Sequence, residues 1–345
     1  MVLNYIVRIK EIFMEIQVMS SLSEKNLAER GLLLSQNGLE ADCDEECYIF
    51  IRDKGRLVAT GARKDNILKC IAVDENYKGE GLTATVLTEL RKNAFENGFT
   101  HLFLYTKPQN KIMFESLFFY SVAETDSILL MENKKDAILS FLSSFKKESS
   151  AKNVGATVMN CNPFTLGHRY LIEKAATECD VLYVFVLSED KSTFSADDRF
   201  EMVKRGTSDI KNVCVLPTGP YLISSATFPT YFLRNRDSAE EIHCMLDIEI
   251  FGRYFVPHFG ITKRFTGTEP FSNATLIYNR MLAENLPKCR VEYRELPRLE
   301  INGTPVSASR VRELLFNNNI LEAERLIPKT TFDYLCSKGY ITKSR

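Results

Sequence analysis

The chain has no surplus of either charge, no paired-cysteine motif and no uninterrupted apolar run of membrane length, and each absence removes a class of function. Its 44 basic residues stand against 45 acidic ones, a net charge of −1. Proteins that hold nucleic acid or an anionic membrane through their overall field carry a basic excess. No nucleic-acid partner and no membrane partner is therefore expected, and any phosphate-binding charge must be local. Nine cysteines are scattered, odd in number and without a Cys-x-x-Cys pair, which argues against a disulfide framework and for a reducing cytoplasm. Cys43 with Cys47, and the neighbours His243 and Cys244, lack second ligand pairs at metal spacing, so no metal held by protein side chains is expected. Residues 1–20 are fairly apolar, but Arg8, Lys10, Glu11 and Glu15 interrupt them. The segment is neither a signal core nor a membrane span, and an amphipathic helix fits it better. There is no internal repeat.

At 345 residues, 45% of them apolar, the chain exceeds one ordinary domain of roughly 100 to 200 residues, and two are expected. In the first, residues 47–51 and 57–60 read as strands joined by a tight turn at Asp53-Lys54-Gly55. A strand at 67–73 runs into Asn76-Tyr77-Lys78-Gly79-Glu80-Gly81, after which Leu82, Val86, Leu87 and Leu90 recur at helical spacing. A strand at 101–105 and a short helix opened by Lys107-Pro108-Gln109-Asn110 complete an α+β unit over 1–135. Residues 136–150 fall in a Lys- and Ser-rich stretch with room for one short helix and read as a linker. Over 151–345 apolar strands at 154–159, 181–187 and 213–216 alternate with helical patterns at 169–177 and 196–204. This predicts a parallel sheet covered on both faces, whose ligand lies at the carboxyl ends of its strands.

One such end carries Asn162-Pro163-Phe164-Thr165-Leu166-Gly167-His168, directly before a helix. Unpaired backbone N–H groups and the positive end of the helix dipole make this turn a phosphate receptor. Gly167 admits a close backbone, and Thr165 and His168, at i and i+3, can face one phosphate edge. After the second strand, Lys191 and Arg199 are further candidate phosphate partners, although Phe194-Ser195-Ala196-Asp197-Asp198-Arg199 also reads as a capping box from Ser195 to Asp198. Arg264-Phe265-Thr266-Gly267-Thr268-Glu269-Pro270 is a strand end opening into a loop suited to a nucleoside. Val306-Ser307-Ala308-Ser309-Arg310-Val311-Arg312 begins a helix with two hydroxyls and two guanidiniums, a second phosphate site. The alternative is that Ser309 only caps and the arginines are solvated.

Thr165-x-Gly167-His168 with Val306-Ser307-Ala308-Ser309-x-Val311-Arg312 resembles the paired signature of the nucleotidyltransferase superfamily, a Rossmann-like fold acting at the α-phosphate of nucleoside triphosphates. Ala308 and Ser309 depart mildly from its commonest form. Asn76-x-x-Gly79-x-Gly81 resembles the pyrophosphate loop of GCN5-type acetyltransferases, with Asn76 where Gln or Arg is usual. Phe114-x-x-x-Phe118-Phe119 stands where that family often has Tyr-x-x-x-Gly-Phe, so the hydroxyl that would protonate a departing thiolate is missing. The fold class expected is therefore α/β, a GCN5-type acetyltransferase-like α+β domain followed by a parallel-sheet nucleotidyltransferase domain. Taken whole, the chain resembles the citrate lyase ligases.

That resemblance implies ATP and Mg²⁺, with acetate and the citrate lyase acyl-carrier subunit, bearing a dephospho-CoA-derived arm, as partners. Acetate would attack the α-phosphorus, and the thiol of the arm would then take the acetyl group and release AMP. His168, Thr165 and Arg312 would be catalytic; Asn162, Pro163, Phe164, Gly167, Lys191, Arg199, Gly267, Glu269, Ser307, Ser309 and Arg310 would hold ATP; Lys78, Gly79 and Gly81 would hold the CoA-like arm. A small acetate pocket is expected near Phe164 and residues 221–227. Two other readings share these motifs: an adenylyltransferase making a dinucleotide from ATP and a phosphorylated acceptor, and an acetyl-CoA-dependent acetyltransferase with a regulatory nucleotide domain.

Overall fold

A computed structural model describes residues 2–9, 12–42, 44–148, 150–189, 192–223, 228–232, 239–269 and 272–341. Contacts divide the chain into two units: Met1–Ala137 with Pro229–Ile242, and Ile138–Phe228 with His243–Arg345.

The first unit runs β1 (Val2–Ile9), β2 (Ile12–Met19), α1 (Glu24–Gln36), β3 (Cys47–Asp53), β4 (Arg56–Lys64), β5 (Ile67–Val73), α2 (Leu82–Glu96), β6 (Phe103–Thr106), α3 (Lys111–Glu115), β7 (Tyr120–Glu124) and β8 (Leu129–Glu132). One eight-stranded sheet, ordered β1-β2-β3-β4-β5-β6-β8-β7, contains all its strands. Neighbours pair antiparallel except β5 and β6, which are parallel. The β3–β4 turn places Lys54 and Gly55 at φ 47° and 82°, the double positive φ that a two-residue hairpin needs. Leu82, Val86, Leu87, Leu90 and Ala94 of α2 are buried in the core with Ile49, Ile51, Val58 and Leu68, so the helical spacing read from the sequence is the packed face.

The N-terminal helix expected over residues 1–20 is corrected by the structure: the segment is the hairpin β1–β2, paired from Val2 with Met19 to Ile9 with Ile12. The physical reason lies in residue type. Val2, Ile6, Val7, Ile9, Ile12, Ile16 and Val18 are β-branched and favour a pleated surface. Met14 and Ile16 are buried while the intervening Glu15 and the following Gln17 are partly exposed, a period of two.

Phe118 adopts φ 61° and is 69% exposed, in a position where the acetyltransferase pattern has glycine. A bulky side chain there is strained by about 1–2 kcal/mol. Phe118→Gly is expected to raise the unfolding free energy by about 1 kcal/mol in urea titration, and a loss of stability would refute the strain.

The second unit, with Ala137 and the first turn of α7 grouped in the first, runs α4 (Ala137–Ser143), β9 (Val154–Met159), α5 (Leu166–Ala176), β10 (Val181–Val186), α6 (Ala196–Gly206), β11 (Val213–Pro217), α7 (Ala239–Ile250), α8 (Val256–Phe259), β12 (Lys263–Gly267), α9 (Asn273–Asn285), β13 (Glu292–Leu296), the small hairpin β14 (Glu300–Ile301) and β15 (Thr304–Pro305), then α10 (Ala308–Phe316), α11 (Ile320–Glu324) and α12 (Lys329–Ser337). Its main sheet is parallel and ordered β11-β10-β9-β12-β13. Chain order therefore runs outward from β9 in one direction and resumes on its other side at β12. The crevice between the carboxyl ends of β9 and β12 is the topological switch point, where open α/β sheets bind ligands. Every residue of β10 is buried, as a strand covered on both faces requires.

Candidate active site

A cavity of about 560 Å³ opens at this switch point, within the size range of small-molecule sites. Asn160, Cys161 and Asn162 follow β9 on its wall, and Thr266, Gly267 and Glu269 come from the end of β12 and beyond. Three helices begin on it. α5 is capped by Thr165, α9 by Ser272 and α10 by Ser307, and all three caps line the cavity. Each helix is nine residues or longer, so three positive dipole ends converge on one volume, an arrangement for polyanions.

At the start of α5, His168 N–H donates to Thr165 Oγ1 at 3.3 Å, and Thr165 N–H donates to His168 Nδ1 at 3.1 Å. Thr165 Oγ1 lies 2.9 Å from the same ring nitrogen. A backbone N–H can only donate, so Nδ1 is the acceptor and the proton of the neutral ring sits on Nε2. Burial and then the Arg298 charge push the imidazole pKa down to about 4, which keeps the ring neutral at physiological pH. Thr165, 1% exposed, holds the imidazole through its backbone N–H and hydroxyl, and both residues line the cavity. Phe164 supports it from behind, fully buried, stacked on the His168 ring at 6.0 Å and tight against Gly206.

Gly167 explains how the two motifs meet. A Cβ there would come within 3.0 Å of the Val306 carbonyl oxygen, so the missing side chain admits the backbone leading into α10. Arg312 closes the junction, donating from Nη1 to the Asn162 carbonyl at 2.5 Å and from Nη2 to Ser309 Oγ at 3.0 Å. Ser307, not Ser309, caps α10, accepting from Arg310 N–H at 3.2 Å.

The residues singled out in the sequence divide accordingly. Asn162, Thr165, Gly167, His168, Gly267, Glu269, Ser307, Ser309 and Arg312 share the cavity wall. Pro163 and Phe164 are buried behind it. Arg310 pairs with Glu313 at 3.1 Å and Glu322 at 3.6 Å on the surface. Arg199 is fully buried, donating to the carbonyls of Phe194 at 3.2 Å, Asn160 at 2.9 Å and Leu187 at 2.8 Å, and to that of Glu189. It ties together the chain leaving β9 and β10. Lys191 and residues 224–227, 270 and 271 lie outside the described residues.

The capping box read at Ser195 is half present. Ser195 Oγ accepts Asp198 N–H at 3.1 Å, but the Asp198 carboxylate is used elsewhere, accepting from Ser195 Oγ at 2.8 Å, Tyr334 Oη at 2.7 Å and Tyr340 Oη at 2.6 Å. Burial alone would raise this carboxyl; the Tyr340, Tyr334 and Ser195 hydrogen bonds and the Lys338 charge carry it down to about 2. The motif therefore anchors the C-terminal helix region.

Sequence reasoning missed Arg298, Tyr278, Asn279 and Thr157. Arg298 follows β13, reaches Glu269 Oε2 at 2.5 Å and lines the cavity. Asn279 donates to the Gly267 carbonyl at 3.0 Å. Thr157 Oγ1 is buried on the wall without a hydrogen-bond partner among the described residues, an orphan suited to a polar ligand. A lone arginine after Leu296-Pro297 and a threonine inside an apolar strand carry no local signal.

In the first unit, Lys78, Gly79 and Gly81 line a second cavity of about 700 Å³ with the first turn of α2. Gly79 and Gly81 take φ 83° and 80°, a backbone that L side chains adopt at a penalty. No side chain caps α2, which leaves its first-turn amides without intrahelical acceptors. Phe114, 3% exposed, also lines the wall.

Among the described residues no helix is long and apolar enough to cross a membrane, and no group of three or more His, Cys, Asp or Glu side chains is placed to hold a metal. Residues 154–335 match the family model described as the citrate lyase ligase C-terminal domain, and residues 9–115 match that of the GNAT acetyltransferase family. With the two sheets, these matches give a GNAT-like N-terminal fold and a nucleotidyltransferase-like C-terminal fold. The chain is 40% identical over 330 residues to the citrate (pro-3S)-lyase ligase of Klebsiella pneumoniae, covering 94% of this chain and 96% of that one. It is 38% identical over 318 residues to the enzyme of the same name from Escherichia coli strain K12, covering 90% of each. A stretch of 54 residues, 15% of this chain and 33% of the relative, is 46% identical to a phosphopantetheine adenylyltransferase of Clostridium botulinum strain 657. Since the matched models span both units and the likeness to the two ligases runs almost end to end, the chain belongs to the citrate lyase ligase family.

Proposed function

We propose that the second unit activates acetate with ATP, and that the acetyl group then passes to the thiol of the dephospho-CoA-derived arm on the citrate lyase acyl-carrier subunit. The observation that carries this reading is the cavity at the switch point, where three helix N-termini, Arg298, Arg312 and a neutral His168 face one volume. In the first step an acetate oxygen bonds to the α-phosphorus and the α–β bridging P–O bond breaks, giving acetyl-adenylate and pyrophosphate. Negative charge builds on the α-phosphate oxygens and on the leaving group, so positioned donors supply the catalysis and no protein nucleophile is needed. His168 donates from Nε2 to an α-phosphate oxygen. Thr165 fixes the tautomer, and Phe164 fixes the ring plane. Ser307, Ser309 and Arg312, at the start of α10, hold the β- and γ-phosphates. In the second step the thiol sulfur bonds to the acetyl carbon, the C–O bond to the phosphate breaks, AMP leaves and the thiol proton is released.

Glu269 is the one carboxylate on the described wall, and it is paired with Arg298. A Mg²⁺ accompanying ATP would therefore rest chiefly on phosphate oxygens, where its charge offsets that of the leaving pyrophosphate.

In this reading the first unit holds the arm, its diphosphate on the Lys78, Gly79 and Gly81 loop and the α2 amides. Replacing Gly79 and Gly81 together by valine is expected to raise KM for the carrier subunit about tenfold or more while acetate-dependent adenylation proceeds; loss of both steps in parallel would contradict a separate arm site. The products separate the main alternative. AMP and a thioester support the ligase, whereas a dinucleotide made from a phosphorylated pantetheine acceptor would support an adenylyltransferase.

A further inference from the structure

The cavity of the first unit is lined at its narrow end by chain from far along the sequence. β5 and β6 pair only at Ile67 with Phe103 and Leu68 with Leu104. Beyond these pairs the two strands part, and the cavity lies in the gap. Its wide end is the glycine loop that follows β5. Its narrow end is marked by Tyr105, the first residue after the last pair. There Tyr231 Oη donates to the Tyr105 carbonyl at 2.5 Å, and the Tyr231 carbonyl accepts from Glu40 N–H at 2.7 Å. The Tyr231 and Phe232 rings meet edge to face at 5.2 Å, are 4% and 2% exposed, and both line the cavity.

The chemistry of the wall is equally specific. Its titratable groups among the described residues are lysines and tyrosines; no Asp, Glu, His or Cys lines it. Burial, with nearby Cys70 and Tyr105, raises the Tyr231 phenol well above its ordinary range, so it offers no base. An acyl transfer to an amine needs a group to take the proton, and among the described residues neither a carboxylate nor an imidazole on this wall offers itself for that. A chain whose diphosphate rests on the glycine loop and whose tail runs down the gap ends against two aromatic rings.

Resting on the proposal that this cavity takes the carrier's arm, we infer that Tyr231 and Phe232 form a stopper that sets the length of the group tolerated on the thiol. A free thiol or a two-carbon acyl group fits; a longer acyl chain does not. The first unit then serves as a size filter on the thioester, separate from any choice the second unit makes among acids.

The test uses the full-length chain and calorimetric titration with CoA, acetyl-CoA and hexanoyl-CoA. The wild type is expected to bind the first two alike and hexanoyl-CoA about tenfold more weakly or worse, the scale on which apolar pockets discriminate chain length. Phe232→Ala should bring hexanoyl-CoA within about threefold of CoA with CoA affinity kept, and Phe232→Leu should fall between. Tyr231→Phe, which keeps the ring, should retain the discrimination. Equal binding of all three by the wild type would overturn the stopper while keeping the arm site. Binding of none would overturn the arm site and the stopper with it. An unchanged ratio in both Phe232 variants would also overturn it, and if Phe232→Ala fails to fold, the ratio in Phe232→Leu decides.

Discussion

His168→Ala is expected to lower kcat for acetate-dependent adenylation about 100- to 1,000-fold, the usual effect of removing one preorganised donor from a developing oxyanion, with KM for ATP changed by no more than about threefold. The asymmetry follows from placement. Helix N-termini and arginines bind the triphosphate in ground and transition states alike, whereas the Nε2–H bond strengthens as charge gathers on the α-phosphate. His168→Asn, which restores a donor without the ring, should recover part of the rate. Near-normal turnover of the alanine variant would remove His168 from this role.

The pH dependence has a definite sign. Because burial and then Arg298 hold the imidazole pKa near 4 against an ordinary value of 6.5, the neutral donor persists through the physiological range. The rate is expected to show no inflection near pH 6.5 arising from this residue, and its ring resonances should not titrate between pH 5.5 and 8 in NMR. The folded pKa lies below the unfolded one, so the stability linked to the neutral ring is intact above about pH 6.5. It is lost as pH falls from there toward 4, where the unfolded chain takes up the proton first. Titration of His168 near pH 6.5 would contradict both statements.

Arg199→Leu is expected to lower the unfolding free energy by about 3 kcal/mol or more, the scale for breaking a buried, fully bonded charge site. Its guanidinium reaches the carbonyls of Asn160, Leu187, Glu189 and Phe194 and the Asn160 side chain at 2.7 Å. An aliphatic replacement would take the guanidinium donors away from these acceptors. The folded fraction should keep KM for ATP within about threefold, because the side chain is spent on the strand ends and does not line the cavity. A stable variant with KM for ATP raised tenfold would instead make Arg199 a phosphate ligand.

Local pattern carried much of what could be read without coordinates. The β9 and β10 runs, the turn into α5 and the switch from strand to helix periodicity after Gly81 all depend on neighbours within a few residues. The glycines did too, although for Gly167 the close approach it permits is to Val306, which sequence distance concealed. The misread elements depend on distant partners. Residues 1–20 become strands because β3 offers an edge for β2, paired from Glu15 with Arg52 to Met19 with Tyr48. Asp198 reads locally as a cap, yet its carboxylate is claimed by Tyr334 and Tyr340, more than 130 residues away. Arg298 gains meaning only when the loop after β13 folds across Gly267, its stem 3.8 Å from the position of a Cβ there. Nothing in the composition of Tyr231-Phe232 marks it as part of the first unit's cavity.

The most direct test of the central claim is exchange of labelled pyrophosphate into ATP by the purified chain with Mg²⁺ and acetate, and with no thiol acceptor present. Exchange that depends on acetate, and that His168→Ala reduces at least about 100-fold, is the predicted result. No exchange with acetate, but exchange with a phosphorylated pantetheine acceptor, would contradict the account and place the cavity at the switch point among dinucleotide-forming adenylyltransferases.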